Sequence, residues 1–255
     1  MALKIKRILI TQPKPETDKS PYFDLAKKLK LQLEFKNFTT ILPYTSKEFR
    51  QEKISILQHT AIIFNSKNMV DLFFNLIKEL RLEMPSEMKY FCVNEGTALY
   101  IQKYIQLRKR KVFYGKSTEK DMLSVLKSHA DENYLYLCSD LRKPEVPNFL
   151  KKNKIKFKEG IVCYTKSSDL KEMDLNSYDL IAFFSAAAVK SVKDNFPKFK
   201  QAEMIIAAFG EATAKAAKDV KLVVSVNAPT PDCPSMSMAL EQFITKNNKE
   251  AAKEK

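Results

Sequence analysis

The chain repeats itself, and few folds accommodate such a repeat. Phe64-Asn65-Ser66 closes one apolar run and opens a helical stretch; Phe183-Phe184-Ser185 does the same, with the two serines 119 residues apart. Glu95-Gly96-Thr97-Ala98 is matched by Glu211-Ala212-Thr213-Ala214, the threonines 116 apart. Pro43-Tyr44-Thr45 is matched by Cys163-Tyr164-Thr165 at an offset of 120, and Thr11 in ILIT by Ser139 in LYLCS at 128. Four pairs in one order indicate two similar units of about 120 residues.

Short apolar runs alternate with amphipathic stretches. The runs fall at 6–11, 33–44, 61–65, 89–93, 111–115, 134–139, 156–165, 179–184, 203–210 and 221–226. Between most of them apolar residues recur at helical spacing, as in Met69, Leu72, Phe73, Leu76, Ile77 and Leu80. This alternation predicts βαβ units and parallel sheets. The runs at 61–65 and 179–184 are apolar throughout, as strands covered on both faces are. If the long strands 33–44 and 156–165 are crossovers, the expected fold class is α/β, with two similar parallel-sheet domains joined by a two-stranded connector. One domain is then discontinuous, 1–36 plus 167–245, and the other is 46–160. The connector takes 37–45 and 161–166, and the charged tail 246–255 is expected to fray. The alternative is two sequential domains split near residue 125.

Composition excludes several chemistries. The four glycines, at 96, 115, 160 and 210, are too scattered for a dinucleotide fingerprint or a P-loop. Two histidines 70 residues apart and four cysteines without CxxC spacing predict no metal site. His59 and His129 are expected at the surface, and Cys92, Cys138 and Cys163 inside strands as small core residues. The net charge of +14 suits an acidic partner, but 38 of the 44 basic residues are Lys. Nucleic-acid readers favour Arg, so no nucleic acid is expected. No run approaches 18 apolar residues, so no membrane span is expected. The N-terminal apolar run, Ile8 to Ile10, is too short for a signal peptide, and scattered cysteines fit a reducing cytoplasm.

In a parallel α/β sheet, ligands sit beyond the carboxyl ends of the strands, against helix N-termini. Those positions hold Thr11-Gln12, Asn65-Ser66, Gly96-Thr97, Ser139-Asp140, Ser185-Ala186-Ala187 and the turn before Thr213. Ser66, Thr97, Ser185 and Thr213 are placed as caps or first-turn residues, worth roughly 1 kcal/mol each as caps alone. Together with unpaired backbone N–H groups they suit carboxylate or phosphate. The basic run Lys103, Arg108, Lys109, Arg110, Lys111 and Lys116 trails a helix and complements its dipole. Lys14, Lys67, Arg142, Lys143 and Lys166, close to strand ends or crossovers, are better placed for a ligand.

IIFNSKNMVDLF, IAFFSAAAVKSV, FGEATAKAA, VCYTK and APTPDCPSMSMAL together resemble the uroporphyrinogen-III synthase family, from about Ile8 to Ile244. The resemblance implies two α/β domains with the active site in the cleft between them, and no cofactor. It implies conversion of hydroxymethylbilane, a linear tetrapyrrole with eight carboxylates, to the cyclic type-III isomer with loss of water. Tyr164, in VCYTK, is then the expected catalytic residue. Thr213, Thr97, Ser66, Ser185, Asn65, Ala186, Ala187, Gly96, Ser139 and Gln12 are expected to bind substrate. The sequence departs from the family at Gln12, where Arg is frequent, and at Asn94, where Gly is. A monomer acting on a small polycarboxylate is expected; the alternative is a bilobal ligand sensor without catalysis.

Overall fold

The computed structural model describes residues 4–106, 108, 110–116 and 119–253. The chain divides into two units, Met1–Thr40 with Lys166–Lys255, and Ile41–Thr165.

In the first unit, β1 (Arg7–Ile10), α1 (Pro21–Leu29) and β2 (Gln32–Phe35) come from the start of the chain. The rest of its sheet and helices are β9 (Leu180–Phe183), α7 (Ala186–Asn195), β10 (Ile205–Phe209), α8 (Glu211–Asp219), β11 (Val224–Ala228) and α9 (Met236–Lys253). The sheet order is β2-β1-β9-β10-β11, with every neighbouring pair parallel. Alternate residues of each strand feed opposite faces, as the pleat requires. Ile8, Ile10, Leu180 and Ala182 pack with Leu25 of α1 and Leu240 and Ile244 of α9. Leu9, Ile181, Phe183 and Ile206 pack with Val189 and Val192 of α7 and Ala217 of α8.

The second unit contains β3 (Thr39–Pro43), α2 (Ser46–Gln51), β4 (Ala61–Phe64), α3 (Lys67–Leu80), β5 (Lys89–Cys92) and α4 (Glu95–Tyr100). It continues through β6 (Val112–Tyr114), α5 (Glu119–Lys127), β7 (Tyr134–Ser139), α6 (Glu145–Lys152) and β8 (Phe157–Ser167). Its sheet order is β3-β8-β7-β4-β5-β6, parallel from β8 to β6. The expected stripe on α3 is present: Met69, Phe73, Leu76 and Ile77 are buried against Ile62 and Phe64. Each such buried side chain contributes about 1.5–3 kcal/mol. The other face carries Ile63, Tyr134 and Tyr136 against Met122, Val146 and Leu150. Both strands expected to be covered on two faces, β4 and β9, are buried along their whole length.

Position by position, β2-β1-β9-β10-β11 and β8-β7-β4-β5-β6 are one arrangement. The matched residues fall on matching strands: Thr11 after β1 and Ser139 at the end of β7, Ser185 after β9 and Ser66 after β4, Thr213 after β10 and Thr97 after β5. The chain crosses from unit to unit at 40–41 and 165–166. These crossings lie within β3 and β8. Tyr44 N–H donates to the Val162 carbonyl (2.9 Å) and Ser168 N–H to the Phe38 carbonyl (2.9 Å), so the two strands run antiparallel.

Three expectations are corrected. The run 33–44 is two strands, because Phe38 turns inward against Phe183 (ring centroids 6.2 Å apart) and breaks the ladder. The tail does not fray over 246–253: α9 continues, Ala251 is buried, and Asn248 binds both the N–H and the carbonyl of Ile5. Residues 254–255 of that tail lie outside the described residues, as does Lys109 of the basic run. Of the histidines, one is not a surface residue. His59 is buried with its Nδ1 on the Ser55 carbonyl (2.9 Å), and His129 is half-buried against Phe91 and Phe113. Cys92, Cys138 and Cys163 are buried in strands as expected, and burial pushes the Cys92 and Cys138 thiols up to about 12.

Candidate functional site

Each sheet changes winding direction at one place, between β1 and β9 in the first unit and between β7 and β4 in the second. The helices on either side of that place pack on opposite faces, and in open α/β sheets it is beyond the carboxyl ends of the strands at such a place that ligands bind.

In the first unit, Thr11 is buried, and its hydroxyl (2.9 Å) and N–H (3.1 Å) both donate to the Ala182 carbonyl. Thr11 therefore ties β1 to β9, and Gln12, half-exposed, is the first residue free of the sheet. Ser185 caps α7, its Oγ accepting from Ala188 N–H at 3.1 Å. Ala186 and Ala187 form the first turn, where backbone N–H groups lack helical acceptors. Gly210 precedes α8 with φ +84°, a conformation that favours glycine, and its N–H donates to the Ala228 carbonyl (2.6 Å). Thr213 is the third residue of α8 and is only 3% exposed. Because β1, β9 and β10 are neighbours, Gln12, Ser185, Ala186, Ala187 and Thr213 share one edge.

In the second unit, Ser66 caps α3, its Oγ accepting from Met69 N–H (3.3 Å), with Asn65 just before it. Asn94 caps α4, its Oδ1 accepting from Thr97 N–H (2.9 Å). Gly96 is exposed, and Thr97, like Thr213, is third in its helix and 3% exposed. Ser139 ends β7 at a register shift, and the adjoining Asp140 accepts from Thr165 N–H (3.0 Å). That bond holds β8 where Tyr164 projects, and the Tyr164 ring lies 5.9 Å from that of Tyr44. Adjacency of β8, β7, β4 and β5 brings Tyr164, Ser139, Asn65, Ser66, Gly96 and Thr97 to one edge.

The four hydroxyl residues thus divide by role. The serines cap; the threonines are buried one turn in, with Asn94 and Gly210 at the cap positions. Of the basic candidates, Arg142 is occupied by an ion pair with Glu159. Burial first, then the carboxylates of Glu52, Glu48 and Asp140 and the nearby Cys163, hold the Tyr44 hydroxyl above its ordinary pKa, so it stays protonated. Asn94 and Asp140 stand at strand ends, as the sequence places them; what the structure adds is their roles, Asn94 as the cap of α4 and Asp140 as the acceptor that holds β8. Among the described residues no three His, Cys, Asp or Glu side chains are grouped to hold a metal ion. No helix of the described residues is long and apolar enough to cross a membrane.

Structures similar to this one include uroporphyrinogen-III synthetase from Helicobacter pylori 26695 (16% identity, TM-score 0.57, covering 95% of this chain and 100% of that one). A mutant uroporphyrinogen III synthase from the extremely thermophilic bacterium Thermus thermophilus is also similar (15% identity, TM-score 0.50, covering 96% and 99%). At these identities the likeness is one of fold. No curated protein sequence matches the chain. The family model described as Uroporphyrinogen-III synthase HemD matches residues 32–237, which takes in the whole second unit and much of the first. The chain belongs to the uroporphyrinogen-III synthase family.

Proposed function

We propose that this protein is a uroporphyrinogen-III synthase acting as a lyase. It takes hydroxymethylbilane, inverts the last pyrrole ring, closes the macrocycle and releases water. The observation that carries this reading is the family match over 32–237, joined to two carboxyl edges built from the same kinds of residue in the same strand order. The linear substrate closes unaided to the wrong isomer, so the protein's task is to hold it in the conformation that leads to inversion. That is catalysis by positioning.

A polycarboxylate suits what these edges offer. Helix N-termini at Ser185-Ala186-Ala187, Ser66 and Gly96 supply N–H groups with no acceptor of their own helix. Asn65, Ser139 and Gln12 add side-chain donors. Buried Thr97 and Thr213 hold the first turns in shape and present their hydroxyls from below. Tyr164 donates a hydrogen bond to the departing hydroxyl and stabilises it as it leaves, a type of contribution typically worth about 10²–10⁴-fold. The reaction needs no cofactor in this reading, and the protein works in the cytoplasm as a monomer. Four free, buried thiols suit a reducing compartment. Nothing observed favours the non-catalytic sensor.

The test is incubation with hydroxymethylbilane and chromatographic separation of the isomers. Type-III product forming faster than spontaneous type-I closure is expected. Type-I product alone, at the uncatalysed rate, would overturn the reading.

A further inference from the structure

Lys67 opens α3, where a positive charge opposes the helix dipole. It also reaches across to the next helix. A side chain added at Gly96 would meet Lys67 Cε at 3.9 Å, so the lysine stem passes over the first turn of α4. The ammonium thus lies beside the first turns of α3 and α4 without an ion pair among the described residues; Glu95, in the first turn of α4, accepts from Tyr114 Oη instead (3.3 Å). The nearest candidate for Lys67 on its own helix is Asp71, four residues on. Asp71 is committed elsewhere: it accepts from Tyr100 Oη (2.9 and 3.0 Å), Tyr104 Oη (2.5 Å) and Lys103 Nζ (3.1 Å). Although burial pushes its pKa up, these bonds keep the carboxyl below its ordinary value.

The same bonds pin Tyr100. Its ring is what Lys67 has in place of an acid: the ammonium stands 5.7 Å from the ring centroid. Phe74 stacks on Tyr104 at 4.6 Å and anchors the far side of the cluster in the core. A cation held over an aromatic face keeps most of its charge available. Here it is exposed at the carboxyl edge between Ser66 and Gly96, beside the N-terminus of α3, whose first turn carries no acid.

We infer that Lys67 binds a substrate carboxylate, and that Asp71 and Tyr100 are positioning residues that hold its ammonium toward the edge. This rests on the functional reading above. It adds a charged contact to a set otherwise made of N–H and hydroxyl donors.

The test is steady-state kinetics with hydroxymethylbilane on the full chain, with thermal melts of each variant to confirm folding. Lys67→Met keeps the apolar stem and removes the charge. KM should rise about tenfold, the size of one charge-assisted hydrogen bond, with kcat within twofold. Lys78→Met removes the same charge from the far end of α3 and should leave KM unchanged. Tyr100→Leu should raise KM by less than Lys67→Met, and the double variant should show no further rise over Lys67→Met. Native KM in Lys67→Met, or an equal rise in Lys78→Met, overturns the inference while the enzyme reading stands. Absence of turnover by the native protein overturns both.

Discussion

The rings of Tyr44 and Tyr164 lie 5.9 Å apart and inclined by 59°, on the neighbouring strand segments where the chain enters and leaves the second unit. They are partners in the sequence repeat but unequal in setting, since Tyr44 is followed by a capping box at Thr45 and Tyr164 by a residue whose N–H is held by Asp140. Tyr164→Phe keeps the ring contact and deletes the hydroxyl. Type-III formation should fall by about 10²-fold or more, with the melting temperature nearly unchanged. Tyr44→Phe should have a milder effect. Native turnover in Tyr164→Phe removes this residue from the mechanism.

Gly96 and Gly115 should respond in opposite ways to alanine. At Gly115 an added Cβ meets Met122 N at 2.5 Å and the Val93 carbonyl at 2.8 Å, both backbone atoms. Gly115→Ala should cost about 1–3 kcal/mol in urea unfolding. At Gly96 nothing comes closer than 3.6 Å, and alanine favours the helix by up to about 1 kcal/mol. Gly96→Ala should therefore match or exceed native stability while losing turnover, because the methyl group occupies the substrate's approach to the first turn of α4. A fully active Gly96→Ala would take this turn out of the site.

Thr97→Ala and Thr213→Ala should each reduce turnover by more than their loss of folded protein explains. Ser66→Ala and Ser185→Ala delete true caps and should each cost about 1 kcal/mol. Assays at matched folded fraction separate the two effects. Full activity in both threonine variants confines those hydroxyls to packing.

His59 should make the fold acid-sensitive. Burial, with smaller help from Lys158 and Lys156, pushes its pKa below 6.5 against the carbonyl hydrogen bonds of Ile56 and Ser55. The unfolded chain then binds a proton at a higher pH than the folded one, so stability is full above about 6.5 and declines as the pH falls below it. His59→Asn retains a donor for the Ser55 carbonyl and removes the titration. Its urea midpoint should vary less between pH 7.5 and 5 than that of the native protein; parallel curves would show that another group is responsible.

A fragment of residues 41–165 should unfold cooperatively by itself, since it keeps β4 to β7, α2 to α6 and all but two residues each of β3 and β8. A 1–125 fragment should not. It lacks β7 and β8, and β7 lies between β8 and β4 in the sheet. Denaturant titration followed by circular dichroism decides; cooperative unfolding of 1–125 but not of 41–165 would mean that the units are wrongly drawn.

Strands such as β4 and β9 were readable because a sheet covered by helices on both faces leaves an uninterrupted apolar run, and the caps Ser66 and Ser185 because they stand where such a run ends. Phe38 misled for the same reason: an apolar residue between two strands looks like more strand, although it turns into the core beside Phe183. The end of α9 is fixed by Asn248 pairing with the Ile5 backbone, a contact between residues 243 apart that composition cannot register. His59 is buried by a tight turn rather than by periodicity. At the site, hydroxyl residues after strands were readable from parallel topology. Lys67 was readable as a basic residue beside a strand end, but not that its charge stays unpaired while that of Arg142 does not, because that depends on Asp71 taking partners on a different helix and in the turn beyond it.

Thr11 donates to Ala182, 171 residues further along the chain. On the ribosome, at about 5–20 residues per second, β1 therefore waits on the order of ten seconds or more for its central neighbour. The second unit is finished in that interval. Its first and last strands lie side by side, so folding it brings the two waiting ends of the first unit together. Taking the insert out of the loop spares about 1 kcal/mol of closure entropy, since each doubling of loop length costs about 0.6 kcal/mol. The inserted unit thus serves as the clasp on which its host assembles, and lesions in β3 or β8 should slow maturation of a sheet to which neither strand belongs.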